Sequence, residues 1–297
     1  MFALQAGDKV GIASPAGHLN SPEDIKLALD YLESLGLKCV LGTHVFDRSF
    51  YMAGDDGKRA EDLHNFFKAP DIKAVFTTAG GCGSQRLLDI LDYNLIKNNP
   101  KPIFGLSDNT ALQTGIYTQT GNPSVTGFSL KYDFKNGHID GLVDQSLQAV
   151  ISGEKQKIIS GETMVEGQSE GTLIGGCLSL IRSLCGTAYF PNLNNKILLI
   201  EDVGEKTYKL DLMLTQLRQQ PDFDKIKGII FGIFAACEEA DEGDGTVDDV
   251  LNDFIKYLPA QVPVIKNFAY GHIPSRYVLP VGTKVHLHAG NCCLEYL

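Results

Sequence analysis

The first half of the chain alternates short apolar runs with amphipathic stretches. Residues 9–13 (KVGIA), 37–41 (LKCVL), 72–77 (IKAVFT) and 102–106 (PIFGL) predict strands. Ser21-Pro22-Glu23-Asp24 reads as a helix start, with Ser21 as N-cap, Pro22 in the first turn and acids at the positive helix end. The helix that follows places Leu27, Tyr31, Leu32 and Leu35 on one face and stops at Gly36. Further helices are expected over 57–68, over SQRLLDILD, and from about 109 to 118.

Strand–helix alternation of this kind predicts a parallel sheet covered by helices on both faces. In such sheets functional groups gather outside the C-terminal strand ends. The junctions 79–84 and 105–110 therefore matter most. Residues 129–170 are polar and weakly periodic, and read as a connection with one short helix near 139–152. Beyond it, GTLIGGCLSLIRSLCGT starts as strand and turns into helix. KILLIEDV (196–203) and IKGIIFGIF predict strong strands, and YKLDLMLTQLRQQ a helix between them. Thr246 and Asp249 form a capping-box pattern opening TVDDVLNDFIKYL. The tail (PVIKNFAYGH, YVLPVGTKVHLHAG, CCLEYL) alternates short strand signals with Gly and Pro.

Composition narrows the function classes. The chain has 297 residues, 43% hydrophobic and 21% charged, enough for a large core without disulfide or metal. With 36 acidic against 26 basic side chains, the net charge is −10, which opposes binding to nucleic acid and to anionic membranes. No signal peptide and no bilayer-spanning apolar run is expected. Seven scattered cysteines with no C-x-x-C pair fit a reduced, cytoplasmic compartment.

Gly105-Leu106-Ser107-Asp108-Asn109-Thr110 follows a strand and opens a helix. A Ser at such a turn is held outside the strand end, beside backbone N–H groups that attract an anion, which suits a nucleophile. A Ser or Asp there also serves as an ordinary cap, and Asn109 stands where a nucleophile elbow carries its second Gly. Ala79-Gly80-Gly81-Cys82-Gly83-Ser84 offers N–H groups to a phosphate or oxyanion. Its Cys82 is a second candidate nucleophile, with a buried structural thiol as the plainer reading. Glu201 and Asp202 end an apolar strand, where a carboxylate can orient a histidine or simply terminate the strand. His272 follows Gly271 in a loop. His286 and His288 share a strand face, but no third metal ligand has suitable spacing. The acidic run Glu238 to Asp244 reads as a solvated loop.

In order along the chain, GDKVGIASPAG, AGD…KRAEDLHNFF, AGGCGSQRLLDILD, GLSDNTAL, LIGGCLSLIRSLCGT, ILLIEDVGEKTYKLDLMLTQL and GH…LPVG resemble the LD-carboxypeptidase family of serine peptidases, which includes the microcin C self-immunity peptidases. The resemblance implies a Ser-Glu-His triad of Ser107, Glu201 and His272, with the backbone N–H groups of Gly81 and Asp108 as oxyanion hole and no metal or cofactor. It implies an α/β protein: an N-terminal parallel-sheet α/β domain over 1–130 carrying the nucleophile, a linker over 131–168, and a C-terminal, β-rich α/β domain over 169–297 carrying the Glu and His, with the active site in the cleft between them. The implied reaction releases the terminal D-Ala of a murein tetrapeptide in cytoplasmic cell-wall recycling, by a homodimer. Ala79 and Cys82 depart from the Arg-Gly-Gly-Tyr-Gly common at the Gly-rich turn, which bears on substrate contacts. Competing readings are a microcin C-type peptidase acting on aminoacyl-nucleotides, a Cys82-dependent amidotransferase-like hydrolase, and a non-catalytic binding module.

Overall fold

The computed structural model describes residues 3–297. In chain order its elements are β1 (Lys9–Ala13), α1 (Glu23–Ser34), β2 (Lys38–Leu41), α2 (Asp56–Lys68), β3 (Ile72–Thr77), α3 (Tyr93–Asn98), β4 (Ile103–Gly105), α4 (Asn109–Thr120), β5 (Ser124–Thr126) and α5 (Gly141–Ser152). The chain continues with β6 (Lys157–Ile159), β7 (Glu162–Val165), β8 (Gln168–Cys177), α6 (Leu178–Ser183), β9 (Lys196–Val203), α7 (Thr207–Arg218), β10 (Gly228–Ala235), α8 (Val247–Phe254), β11 (Val264–Lys266), β12 (Leu279–Val281), β13 (Thr283–His288) and β14 (Cys293–Tyr296). They form two compact units, one running to Glu154 and including Tyr277–Gly282, the other made of Lys155–Arg276 and Thr283–Leu297.

The first unit is a doubly wound α/β layer. Its sheet runs β12-β5-β4-β3-β1-β2, with β2, β1, β3, β4 and β5 parallel and β12 added antiparallel to β5. Val10, Ile12, Phe76, Phe104 and Val125 from the strands pack with Ile25, Ala28 and Leu32 of α1 and Val143, Leu147 and Val150 of α5. Phe76 stacks on Phe104 with ring centroids 4.1 Å apart and meets Phe128 edge-on. Gly11 lets the ring of Phe66 on α2 lie directly on the sheet, since an added Cβ would fall 2.6 Å from it.

Three local expectations are corrected. The stripe of α1 is Ile25, Ala28 and Leu32, with Leu29, Tyr31 and Leu35 at its margins; Leu27, expected inside, is 46% exposed. The i, i+3, i+7 spacing from Ile25 leaves Leu27 on the far side. The Ser21 hydroxyl accepts no backbone N–H as a cap; instead the Asp24 carboxylate accepts the Asn20 N–H at 2.8 Å. The helix expected over SQRLLDILD is one short 3-10 turn, Ser84–Leu87, whose first residue is bonded to Asp108 through both its N–H and its hydroxyl.

The second unit is one mixed eight-stranded sheet, β6-β14-β13-β8-β9-β10-β11-β7. β8, β9, β10 and β11 are parallel, while β13, β14, β6 and β7 add antiparallel. Its end strands β6 and β7 are joined by Ser160-Gly161 alone, so the sheet is rolled until its edges meet. The Ser160 hydroxyl accepts the Ala269 N–H at that seam, at 2.9 Å. The capping box at Thr246 and Asp249 forms as the sequence predicts. Residues 131–168, read as a connection, divide between the units: α5 packs in the first and β6 and β7 pair in the second. Among the described residues, no helix is long and apolar enough to cross a membrane.

Phe76→Ala is expected to cost about 3–5 kcal/mol in urea unfolding, because it opens a cavity between two aromatic neighbours. Leu27→Lys is expected to stay within about 0.5 kcal/mol. A large loss from Leu27→Lys would show that α1 buries the face first read from the sequence.

Candidate active site

Ser107 sits between β4 and α4 with φ +64, in the left-handed region that few non-glycine residues occupy. That strain is a property of strand-to-helix elbows that present a nucleophile. Three neighbours hold it. Gly80 lies against it so closely that an added Cβ would fall 2.7 Å from the Ser107 Cβ and 3.0 Å from its Oγ. Gly17, in the loop after β1, donates its N–H to the Gly80 carbonyl at 2.9 Å. The Asn109 side-chain amide donates to the carbonyls of Ala79 (3.0 Å) and Leu106 (3.1 Å). Asn109 thus ties the Gly-rich turn to the elbow, a task that a glycine at that position cannot perform.

Gly81 has φ +106 and is exposed. Its N–H and that of Asp108, the residue after Ser107, donate to no group among the described residues. The Asp108 side chain turns inward, accepting the Ser84 N–H at 2.8 Å, while its backbone carbonyl accepts the Ser84 hydroxyl at 2.6 Å. Burial raises the Asp108 carboxyl above its ordinary value, opposed by the Ser84 and Gly83 donors and Arg59. Arg59, itself buried, donates to the carbonyls of Pro15 and Gly83 and to Asp56, fastening the loops after β1 and β3 together.

Cys82 is exposed. Its thiol is raised above its usual value by partial burial and then by the Asp108 charge. The short turn behind it supplies little helix dipole, so the lowered value that thiolate chemistry needs is not built here. His286 and His288 on β13 bring their rings together with centroids 3.7 Å apart and planes tilted by 38°. No group of three or more His, Cys, Asp or Glu among the described residues is arranged to hold a metal ion.

In the second unit, Glu201 and His272 meet. Glu201 is fully buried near the end of β9. Its Oε2 lies 2.8 Å from His272 Nδ1 and accepts the His272 backbone N–H at 3.2 Å. Gly271, at φ +127, makes this approach possible, since an added Cβ would fall 2.8 Å from that same oxygen. Gly232 on β10 passes equally close to the Tyr270 carbonyl, 2.5 Å from an added Cβ. Burial raises the Glu201 carboxyl, the His272 hydrogen bond and charge oppose it, and Asp202 adds to the rise. Asp202 points the other way and accepts the Ser179 N–H at 2.7 Å, at the start of α6. The two adjacent acids therefore have separate tasks. A carboxylate on Nδ1 fixes the imidazole tautomer and leaves Nε2 as the free base.

A strained serine elbow on a doubly wound sheet and a buried Glu–His pair on a second, rolled sheet are the parts of a two-domain serine hydrolase. Residues 10–127 match the LD-carboxypeptidase N-terminal domain and residues 170–287 the LD-carboxypeptidase C-terminal domain. The chain belongs to the LD-carboxypeptidase family. It is 33% identical over 291 residues to a probable murein peptide carboxypeptidase of Bacillus subtilis, covering 96% of this chain and 90% of that protein. It is 28% identical over 300 residues to the murein tetrapeptide carboxypeptidase of Pseudomonas aeruginosa, covering 95% and 94%. The solved structure of MccF in complex with glutamyl sulfamoyl guanosine superposes with a TM-score of 0.88 at 26% identity, covering 99% of this chain and 97% of that one.

Gly80→Ala is expected to abolish activity, because its methyl group collides with Ser107; retained turnover would show that the elbow yields. Asp108→Asn tests the buried acid. A carboxyl raised by folding binds its proton more tightly in the native state, so its contribution is complete at low pH and lost as pH rises through the native value. The melting temperature of Asp108→Asn relative to the parent is therefore expected to rise between pH 4 and pH 8. A flat difference would reject the assigned cause.

Proposed function

We propose that the protein is a serine LD-carboxypeptidase that hydrolyses the bond between the L-centre of diaminopimelate and the terminal D-Ala of murein tetrapeptide. Ser107, Glu201 and His272 act as its triad. The observation that carries the reading is the Nδ1–Glu201 bond of 2.8 Å, which commits one ring nitrogen to a buried carboxylate and leaves Nε2 for proton transfer. The positive φ of Ser107 and the kinship with murein peptide carboxypeptidases support it.

In this mechanism His272 Nε2 takes the Ser107 proton as Oγ attacks the scissile carbonyl. Glu201 stabilises the imidazolium that forms. The N–H groups of Gly81 and Asp108 hold the oxyanion, with each donor worth about 3–4 kcal/mol in comparable sites. The imidazolium then protonates the leaving amine, and D-Ala departs from an acyl-enzyme on Ser107. Water, deprotonated by His272, attacks the ester and returns the serine, and the tripeptide leaves. The chemistry needs no metal in this scheme.

D-Ala release from murein tetrapeptide, followed by mass spectrometry, tests the reading. Ser107→Ala and His272→Ala are expected to lower kcat by about 10⁴-fold or more, and Glu201→Gln by about 10⁴-fold through loss of the productive tautomer. Activity in Ser107→Ala would reject the mechanism. Cleavage of aminoacyl-nucleotide conjugates without tetrapeptide cleavage would move the substrate to the microcin C class.

A further inference from the structure

The two N–H groups assigned to the oxyanion, those of Gly81 and Asp108, stand on different loops, one after β3 and one after β4. Each belongs to a peptide unit whose carbonyl is already taken. The Gly80 carbonyl accepts the Gly17 N–H at 2.9 Å, and the Ser107 carbonyl accepts the Thr110 N–H at 2.8 Å. In a trans peptide the N–H points opposite to the carbonyl, so these bonds aim the Gly81 N–H away from Gly17 and the Asp108 N–H away from the body of α4. Aim alone does not fix the distance between the donors.

That distance is controlled one peptide unit earlier on each loop. Asn109 Nδ2 carries two hydrogens, and they go to the carbonyls of Ala79 (3.0 Å) and Leu106 (3.1 Å). Those carbonyls belong to the units that directly precede the two donor units. A single side chain therefore spans both loops at matching positions. Ser84, at the far end of the Gly-rich turn, is bonded to Asp108, so the turn is held at both ends. Between the ends lie Gly80 and Gly81, the latter at φ +106, where the backbone has the most freedom to drift once an anchor is lost.

Asn109 is fully buried, so no substrate touches it. Its Oδ1 is buried without a partner among the described residues. A side chain present only to fill space would not carry that cost. What the amide supplies, and an apolar side chain of similar volume cannot, is the pair of N–H donors.

We propose, on the carboxypeptidase reading, that Asn109 is a positioning residue for the reaction: its amide sets the separation of the Gly81 and Asp108 donors, and so serves the transition state without contributing to substrate binding.

The test uses the full chain, murein tetrapeptide as substrate, and a fluorophosphonate that labels Ser107 without needing the peptide. Asn109→Ala is expected to lower kcat by about 10²-fold with KM within about threefold, and to slow Ser107 labelling to a similar degree. Asn109→Ser keeps a hydroxyl that can reach the Leu106 carbonyl in its own turn but not Ala79. It is expected to be as slow as Asn109→Ala, because the bridge is lost. Thr77→Val is the packing control. Thr77 and Asn109 both lie against Gly105, and the Thr77 hydroxyl has no partner among the described residues. Its kcat is expected to stay within about threefold of the parent.

An unchanged kcat in Asn109→Ala, a rise in KM alone, full activity in Asn109→Ser, or an equal loss in Thr77→Val would overturn the proposal. So would failure of both Asn109 variants to fold, which would assign the residue to stability. If the wild type is labelled at Ser107 but releases no D-Ala, the carboxypeptidase reading fails and the labelling rates alone decide the role of Asn109. If it is neither labelled nor active, both fail.

Discussion

Backbone packed to the limit that only glycine allows is the constraint on which both the Ser107 elbow and the Glu201–His272 pair depend. Gly80 at Ser107 and Gly271 at Glu201 each leave no room for a single methyl group. The effect is to hold each of these side chains against main chain, which has far less freedom than another side chain. Preorganisation of this kind is supplied by folding. The strained φ of Ser107 persists because these neighbours, with Asn109 across the turn, over-determine it.

The buried charges show how an acidic protein keeps carboxylates inside. Asp202 is satisfied by the backbone at the start of α6, and Asp108 by Ser84. Each serves a corner of the chain. Glu201 differs, because one oxygen receives both His272 donors while Oε1 is buried without a partner among the described residues. A carboxylate so placed costs several kcal/mol unless a cation compensates. His272, which supplies both donors, is the group placed to compensate it. Arg59 plays the converse part: a buried cation spent on loop carbonyls, it joins the loops around the elbow.

The order of β2, β1, β3, β4 and β5 explains why those loops meet. In a doubly wound sheet the strand order reverses beside β1, and the loops at the C-terminal ends of neighbouring strands open into one crevice. The loop after β1 supplies Gly17, the loop after β3 supplies Gly80 and Gly81, and the elbow after β4 supplies Ser107. Loops from three parallel strands are thus collected by topology.

Much of this was legible in the chain itself. Strand–turn–helix punctuation located the Ser107 elbow, the apolar run ending in acids located Glu201, and the Thr246–Asp249 spacing marked its capping box, because each is a local pattern read within a few residues. His272 stood out only weakly from its place after a glycine in a loop, and the family resemblance gave it its role, since a histidine after a glycine has no strong local signature. Tertiary structure alone decided the rest. The inward stripe of α1, the 3-10 turn at Ser84, the division of residues 131–168 and the return of β12 to the first sheet depend on partners far along the chain. So does the bridging amide of Asn109, which reaches Ala79. Periodicity and caps report what a segment prefers. Which preference survives is settled by hydrogen bonds and close contacts between segments, and no window of sequence contains both ends of those.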